Sequence, residues 1–192
     1  MTRQLILASS SPRRSELLKQ LGLDFRILPC EVNETSPPGL RPDELVETLA
    51  ARKALAAAGL LDKGIVIGAD TVVALNGQVL GKPTGTSDAV EMLRQLQGTN
   101  HEVYTGVALV DAGRREILID HEQTRVYFKP LEEIEILRYV STGEPMDKAG
   151  AYAIQGLAAM FISRLEGCYT NVVGLPLAKL SEMLRQFGYN VL

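Results

Sequence analysis

The chain has 192 residues, 46% of them hydrophobic and 22% charged, which is enough apolar material to bury a core and too much for a disordered chain. Its formal net charge is −3, aromatic residues make up only 5% and Trp is absent, so neither a broad polyanion-binding surface nor a base-stacking platform organises it. The two cysteines, Cys30 and Cys168, belong to no CxxC pair, so neither a zinc ribbon nor a disulfide framework is indicated and two free thiols are expected.

In chain order, Leu5 to Ala8 predicts a short buried strand. The apolar run stops at Ser9-Ser10-Ser11, too soon for a secretion signal, and no stretch approaches the ~18 apolar residues of a membrane span, so a cytoplasmic location is expected. Ser11 then reads as the N-cap and Pro12 as the first position of a helix through Leu17, Leu18 and Leu21, closed by Gly22. Phe25 to Leu28 resumes an extended pattern before a Pro-rich loop, Ser36 to Pro42. Asp43 to Leu60 predicts a helix capped by Asp43. Ile65 to Ala69 and Thr71 to Leu75 predict strand on either side of Asp70, and Asn76-Gly77 supplies a hairpin turn.

Ser87 to Leu96 predicts an amphipathic helix. Glu102 to Val110 and Ile117 to Phe128 predict strands joined by a turn at Asp111 to Gly113. Leu131 to Val140 and Leu177 to Phe187 read as helices, with Tyr152 to Ile154 and Met160 to Arg164 short and extended between them. There is no internal repeat, low-complexity segment or linker. The expectation is one domain over residues 1–192, of α/β class, with hairpins and strand-helix units sharing a mixed sheet.

Several residues interrupt these patterns in ways that suggest chemistry. Ser9-Ser10-Ser11-Pro12-Arg13-Arg14 gathers hydroxyls, backbone N–H groups and two guanidinium groups at a helix N-terminus directly after a strand, the make-up of a phosphate site. A capped helix with surface arginines has the same composition. Gly77 to Pro83 resembles a P-loop but has three residues between its glycines, and Pro83 has neither hydroxyl nor N–H to offer. Lys82 in that turn is either a point charge for phosphate or a surface lysine.

Asp70 breaks an apolar run from Ile65 to Leu75, and a carboxylate placed there needs a partner: a divalent metal, Lys53 or Lys82. A solvent-facing strand-end Asp is the simpler alternative. Glu34 is a second carboxylate available to a metal. Gln155, among the small residues of Asp147 to Gly156, carries the donor and acceptor needed to read a base edge, or else bonds its own turn. His101 and His121 have no recognisable ligand spacing and read as structural or exposed. No G-x-S-x-G elbow supports a serine hydrolase.

Taken together, these segments resemble the Maf family of nucleotide pyrophosphatases almost end to end. The carriers are Leu5 to Ser9 with Ser11-Pro12-Arg13-Arg14, Glu34, Ala51-Arg52-Lys53-Ala54, Gly68-Ala69-Asp70-Thr71, Gly81-Lys82-Pro83, Thr105-Gly106-Val107, Asp147 to Tyr152, Ile154-Gln155-Gly156 and Val172 to Leu177. Each is weak alone, and their order and spacing make the set specific. The resemblance implies a mixed, elongated twisted sheet flanked by helices, as in inosine triphosphate pyrophosphatases. It also implies hydrolysis of a nucleoside triphosphate to its monophosphate and pyrophosphate with Mg2+ or Mn2+.

By the same resemblance Asp70 is the proton acceptor or metal-bound carboxylate. Ser9, Arg13, Arg14, Glu34, Lys53 and Lys82 line the triphosphate and metal site, with Glu34 and Asp70 as metal ligands. Arg13, Thr71 and Gln155 match positions associated with substrate choice. Ile154-Gln155-Gly156 is similar to the branch that prefers dTTP and UTP, whereas the 7-methyl-GTP branch carries a Ser-Glu-Gly type sequence there. Cys168 and Gln97, both often Ser in this branch, are departures that touch no catalytic match. A carboxylate with an ordinary pKa of ~3.9 is a weak base near neutrality, so Asp70 needs a raised pKa or a metal-activated water as its partner.

The family's association with septum formation keeps open a regulator that binds nucleotide or nucleic acid without turnover. The acidic balance and few aromatics weigh against nucleic acid. No membrane partner is expected, and a homodimer is implied at the family level only.

Overall fold

Short apolar runs punctuated by glycine and Asn-Gly set the strands. In the computed structural model, which describes residues 3–35 and 39–192, these are β1 (Leu5–Leu7), β2 (Phe25–Ile27), β3 (Ile65–Leu75), β4 (Gln78–Leu80), β5 (Asn100–Asp111), β6 (Glu116–Phe128) and β7 (Ile162–Glu166). The helices are α1 (Pro12–Gln20), α2 (Pro42–Ala58), α3 (Thr86–Leu96), α4 (Glu133–Ser141), α5 (Tyr169–Val173) and α6 (Leu177–Gln186). The sheet order is β2-β1-β3-β5-β6-β7, with β4 paired to β3. β1 is parallel to both neighbours, Leu5 lying opposite Phe25 and Ile65, whereas β3/β4 and β6/β7 are antiparallel. This is the mixed sheet that hairpins combined with strand-helix units require.

Most local expectations hold. Pro12 opens α1 behind Ser11, and Gly22 ends it with φ 68°. Asn76 (φ 52°) and Gly77 (φ 81°) turn the β3/β4 hairpin with both central residues left-handed, as a tight two-residue turn demands. Three details differ. Asp43 lies inside the first turn of α2 and Arg41 is the cap residue, its N–H donating to Glu44 Oε2 at 3.0 Å, because Pro42 takes the first helical position. The two strands expected around Asp70 are one, β3. No strand forms at 152–154, and Met160 belongs to a 3-10 turn, Leu157–Phe161, that precedes β7. Further 3-10 turns at Glu144–Asp147 and Ala149–Ala151, and the short α5, carry no periodic apolar pattern. Of the Pro-rich segment, Ser36, Pro37 and Pro38 lie outside the described residues.

The chain forms two compact units, Met1–Asp70 with Thr105–Glu122 and Gly174–Leu192, and Thr71–Tyr104 with Gln123–Val173. In the first unit, Ala50, Ala54 and Ala57 of α2 are fully buried with Ile6, Val66 and Ala108 of the sheet. Their small side chains let the helix backbone rest on the strands. A Cβ on Gly68 would stand 2.3 Å from the Ala50 carbonyl oxygen and 2.7 Å from the Ala54 nitrogen. A Cβ on Gly106 would stand 2.3 Å from the Val46 carbonyl oxygen. Since helix backbone cannot yield as a flexible side chain does, Gly68→Ala is expected to lower unfolding free energy by about 3 kcal/mol, read as a shift in urea midpoint.

The second unit packs Leu93, Leu96, Phe128, Ile136, Tyr139, Tyr152 and Phe161 into its core. His101 is buried there, its Nε2 2.8 Å from the Tyr152 hydroxyl and its ring edge-on to Phe128 at 5.1 Å. No protein group partners its Nδ1. Burial lowers the His101 pKa to about 4. The unfolded chain therefore takes up a proton near pH 6.5 that the folded chain refuses until about 4, so stability is full above 6.5 and falls as pH drops through that window. Thermal melting of the wild type is expected to show this acid-side loss, and His101→Gln to flatten it.

Candidate active site

The site begins with the one polar break in β3. Along Ile65–Leu75 the first five residues are buried, Asp70 and Thr71 are half-buried, and Val72 to Ala74 are buried again. Asp70 Oδ1 meets Lys53 Nζ at 2.6 Å, the two side chains being only 14% and 15% exposed. The Gly68 contact places α2 so that Lys53, one residue before Ala54, reaches the strand. Lys53 Nζ also meets Glu34 Oε1 at 2.7 Å, so two carboxylates from different segments converge on one positive centre.

Glu34 arrives on an exposed loop that helix α2 holds in place. Arg52 Nη1 donates to the Asn33 and Thr35 carbonyls at 2.9 and 2.8 Å, gripping the backbone on both sides of Glu34. Arg52 is an unassigned neighbour of Lys53 in the sequence, and its partners are backbone carbonyls that no residue pattern marks.

The phosphate-type cluster forms locally too. Ser9 is buried at the end of β1, and its Oγ accepts from the Ser11 N–H and from Arg14 Nη1, both at 3.2 Å. The Ser9 hydroxyl therefore takes the side-chain acceptor role at the entry to α1, while Ser11 caps the helix through its carbonyl, which accepts the Ser15 N–H at 3.2 Å. Arg14 Nε donates to the Gly174 carbonyl at 2.8 Å, a partner supplied by the Val172 to Leu177 motif. Burial lowers the Arg14 pKa, opposed by the negative charges of Asp70 and Glu34 and reinforced by Arg13. Arg14 is thus an under-solvated cation within the field of both carboxylates, and an anion has much to gain beside it. Arg13 is half-buried on the first turn of α1.

Thr71, Lys82 and Gln155 belong to the second unit. Lys82 is exposed just after β4, and Gln155 is exposed in the turn before Leu157–Phe161. Their segments are linked where the Gly150 N–H donates to the Gly81 carbonyl at 3.0 Å. Gly150 (φ 66°) is left-handed, and a Cβ there would lie 2.9 Å from Val73 Cγ1, so glycine is required.

Of the histidines, His101 is structural. His121 has company the sequence reading missed. Its Nδ1 lies 2.7 Å from Glu47 Oε1, and Glu47, Asp120 and His121 have ligand-type atoms within 4.8 Å of one another, one such group among the described residues. Asp120 is also paired with Lys179 at 3.0 Å, and its Oδ1 accepts the His121 N–H at 2.7 Å.

A family model described as Maf-like protein matches residues 4–187. The chain belongs to the Maf family. A Maf relative from Pelotomaculum thermopropionicum named dTTP/UTP pyrophosphatase is 66% identical over 190 residues, covering 99% of this chain and 100% of that protein. One of the same name from Desulforamulus reducens is 52% identical over 189 residues, covering 98% and 99%. The structure of a HAM1 protein from Coxiella burnetii matches 97% of this chain and all of that one with TM-score 0.54 at 16% identity, which bears on the fold alone. The mixed sheet flanked by helices is therefore the Maf/HAM1 architecture.

The Lys53 pair offers a direct check on the electrostatics. Lys53→Met leaves Asp70 half-buried without its cation and is expected to cost about 2 kcal/mol of stability. Adding Asp70→Asn is expected to recover part of that loss, and an additive double mutant in urea denaturation would show that the two residues do not interact.

Proposed function

We propose that this chain hydrolyses nucleoside triphosphates, dTTP and UTP foremost, to the monophosphate and diphosphate. The observation that carries this reading is the convergence of Asp70 and Glu34 on Lys53, in a Maf chain whose relatives are named dTTP/UTP pyrophosphatase. The match over residues 4–187 spans both compact units and supports treating 1–192 as a single catalytic domain. No helix among the described residues is long and apolar enough to cross a membrane, and the substrate class favours the cytoplasm.

Hydrolysis to the monophosphate and pyrophosphate adds water to the α-phosphorus, breaks its bond to the α–β bridging oxygen and releases pyrophosphate with that electron pair. Asp70 is the residue to accept the water's proton, oriented by the Lys53 ammonium at 2.6 Å. Lys53 and Arg14, with Arg13 and Lys82, offset charge that builds on the phosphoryl oxygens, and Ser9 adds a hydroxyl beside Arg14. Arg14 is half-buried and partly desolvated already, so it has less hydration to lose when phosphate arrives. Thr71 and Gln155 are assigned to the nucleoside end, Gln155 pairing through its carboxamide with a pyrimidine edge.

The residues present fit a hard divalent cation, Mg2+ or Mn2+. Glu34 and Asp70 each direct a carboxylate oxygen at one positive centre, now the Lys53 ammonium, and oxygen donors are what such ions prefer. When bound, the ion supplies charge neutralisation on the phosphate oxygens and the leaving pyrophosphate.

The test is pyrophosphate release from a panel of nucleoside triphosphates with Mg2+ or Mn2+. The wild type is expected to turn over dTTP and UTP, Asp70→Ala to lose about a thousandfold in kcat, and Gln155→Glu to change the order of preference. A wild-type protein that binds these nucleotides yet releases no pyrophosphate with either metal would overturn the enzymatic reading in favour of a binding regulator.

A further inference from the structure

Gln155 is exposed, and an exposed carboxamide discriminates between bases only if its backbone is fixed. Inside its own turn the fixing is slight: the Gly156 N–H donates to the Ala153 carbonyl and the Ala159 N–H to the Gly156 carbonyl, each at 3.1 Å. The stronger hold comes from Glu144, the first residue of the 3-10 turn Glu144–Asp147. Its Oε2 accepts the Leu157 N–H at 3.0 Å, a charge-assisted bond to the residue two beyond Gln155.

The same carboxylate is pressed against Gly156. A Cβ there would lie 2.2 Å from Glu144 Oε1 and 2.5 Å from Oε2, so a side chain at this position would displace the carboxylate. Glu144 is itself tied to the core, because Oε1 accepts the hydroxyl of Tyr139 at 3.0 Å. Tyr139 is 2% exposed and packs edge-on to Phe161 at 5.2 Å. Burial, with the nearby Glu144 charge, pushes the Tyr139 pKa up, so its hydroxyl remains a donor at working pH. A continuous path therefore runs from the core through Tyr139 and Glu144 to the backbone at Gly156 and Leu157.

We propose that Glu144 is a positioning residue for base discrimination, clamping the Gly156-Leu157 backbone so that Gln155 is held in one orientation. The proposal rests on the reading of Gln155 given above. It also supplies a reason for glycine after Gln155: a side chain at Gly156 would push the Glu144 carboxylate off the Leu157 N–H.

The experiment measures kcat and KM for dTTP, UTP and GTP in the wild type and in Glu144→Ala, Glu144→Gln, Gly156→Ala, Glu144→Ala/Gly156→Ala and Gln155→Ala, with thermal melting of each. Glu144→Ala is expected to shrink the dTTP-over-GTP ratio of kcat/KM by about tenfold or more, mainly through KM. Glu144→Gln, which keeps an acceptor for the Leu157 N–H, restores most of it. Gly156→Ala reproduces the Glu144→Ala ratio because its methyl expels the carboxylate, and the double variant is no worse than Glu144→Ala alone. A ratio unchanged in Glu144→Ala, or losses that multiply in the double variant, overturns the proposal. Should Glu144→Ala fail to fold, Gly156→Ala and Tyr139→Phe carry the test, with the same fall in ratio expected and an unchanged ratio overturning it. If Gln155→Ala loses the ratio while the clamp variants keep it, the clamp alone is wrong. If Gln155→Ala keeps the ratio, the reading of Gln155 fails and the proposal fails with it.

Discussion

A carboxylate in the middle of an apolar strand is the constraint around which the first unit is built. Asp70 cannot be left alone at 14% exposure, and the group that answers it, Lys53, sits on a helix that must lie close enough to deliver a short side-chain contact. That closeness has a backbone origin. Gly68 and Gly106 let α2 settle onto the sheet with carbonyl and amide atoms in the space a methyl would occupy, and the buried alanines of α2 keep the rest of the helix low. The Lys53–Asp70 charge pair and the close helix-on-sheet packing are consequences of the same helix placement.

Residue spacing made the strands, most helices and the Asn76-Gly77 turn legible, because these depend on local propensity and on the side of the chain that is apolar. Asp70 was legible for a related reason: it violates a pattern its neighbours obey. Its partner could be narrowed only to Lys53, Lys82 or a metal, since choosing among them needs the distance across helix and strand. Arg52 illustrates what was out of reach. It bonds two backbone carbonyls, and carbonyls look alike at every position of a sequence. His121 shows the opposite failure, as its spacing to Glu47 spans 74 residues and no local motif marks it.

The second unit was harder to read where helix and strand periods lapse. Residues 144–161 fold as successive 3-10 turns, with Gly150 and Ala151 both left-handed and Ala151 wholly buried. Such a segment is specified by contacts at a distance, such as Val73 beneath Gly150 and Glu144 beneath Gly156. The family resemblance marks this stretch as a motif, whereas the physical reason for Gly150 lies in its contact with Val73, far away in sequence.

The distribution of chromophores has a practical consequence. The chain has no Trp and six tyrosines, of which Tyr104, Tyr127, Tyr139, Tyr152 and Tyr169 lie in the second unit and Tyr189 in the first. Intrinsic fluorescence therefore reports almost entirely on one half of the molecule, with Tyr139 and Tyr152 as its two buried emitters, the latter edge-on to Phe128 and hydrogen-bonded to His101. Circular dichroism, by contrast, weighs helices of both halves. Comparing the two signals along one denaturation curve separates cooperative unfolding of the whole chain from stepwise loss of its halves, without any label being introduced.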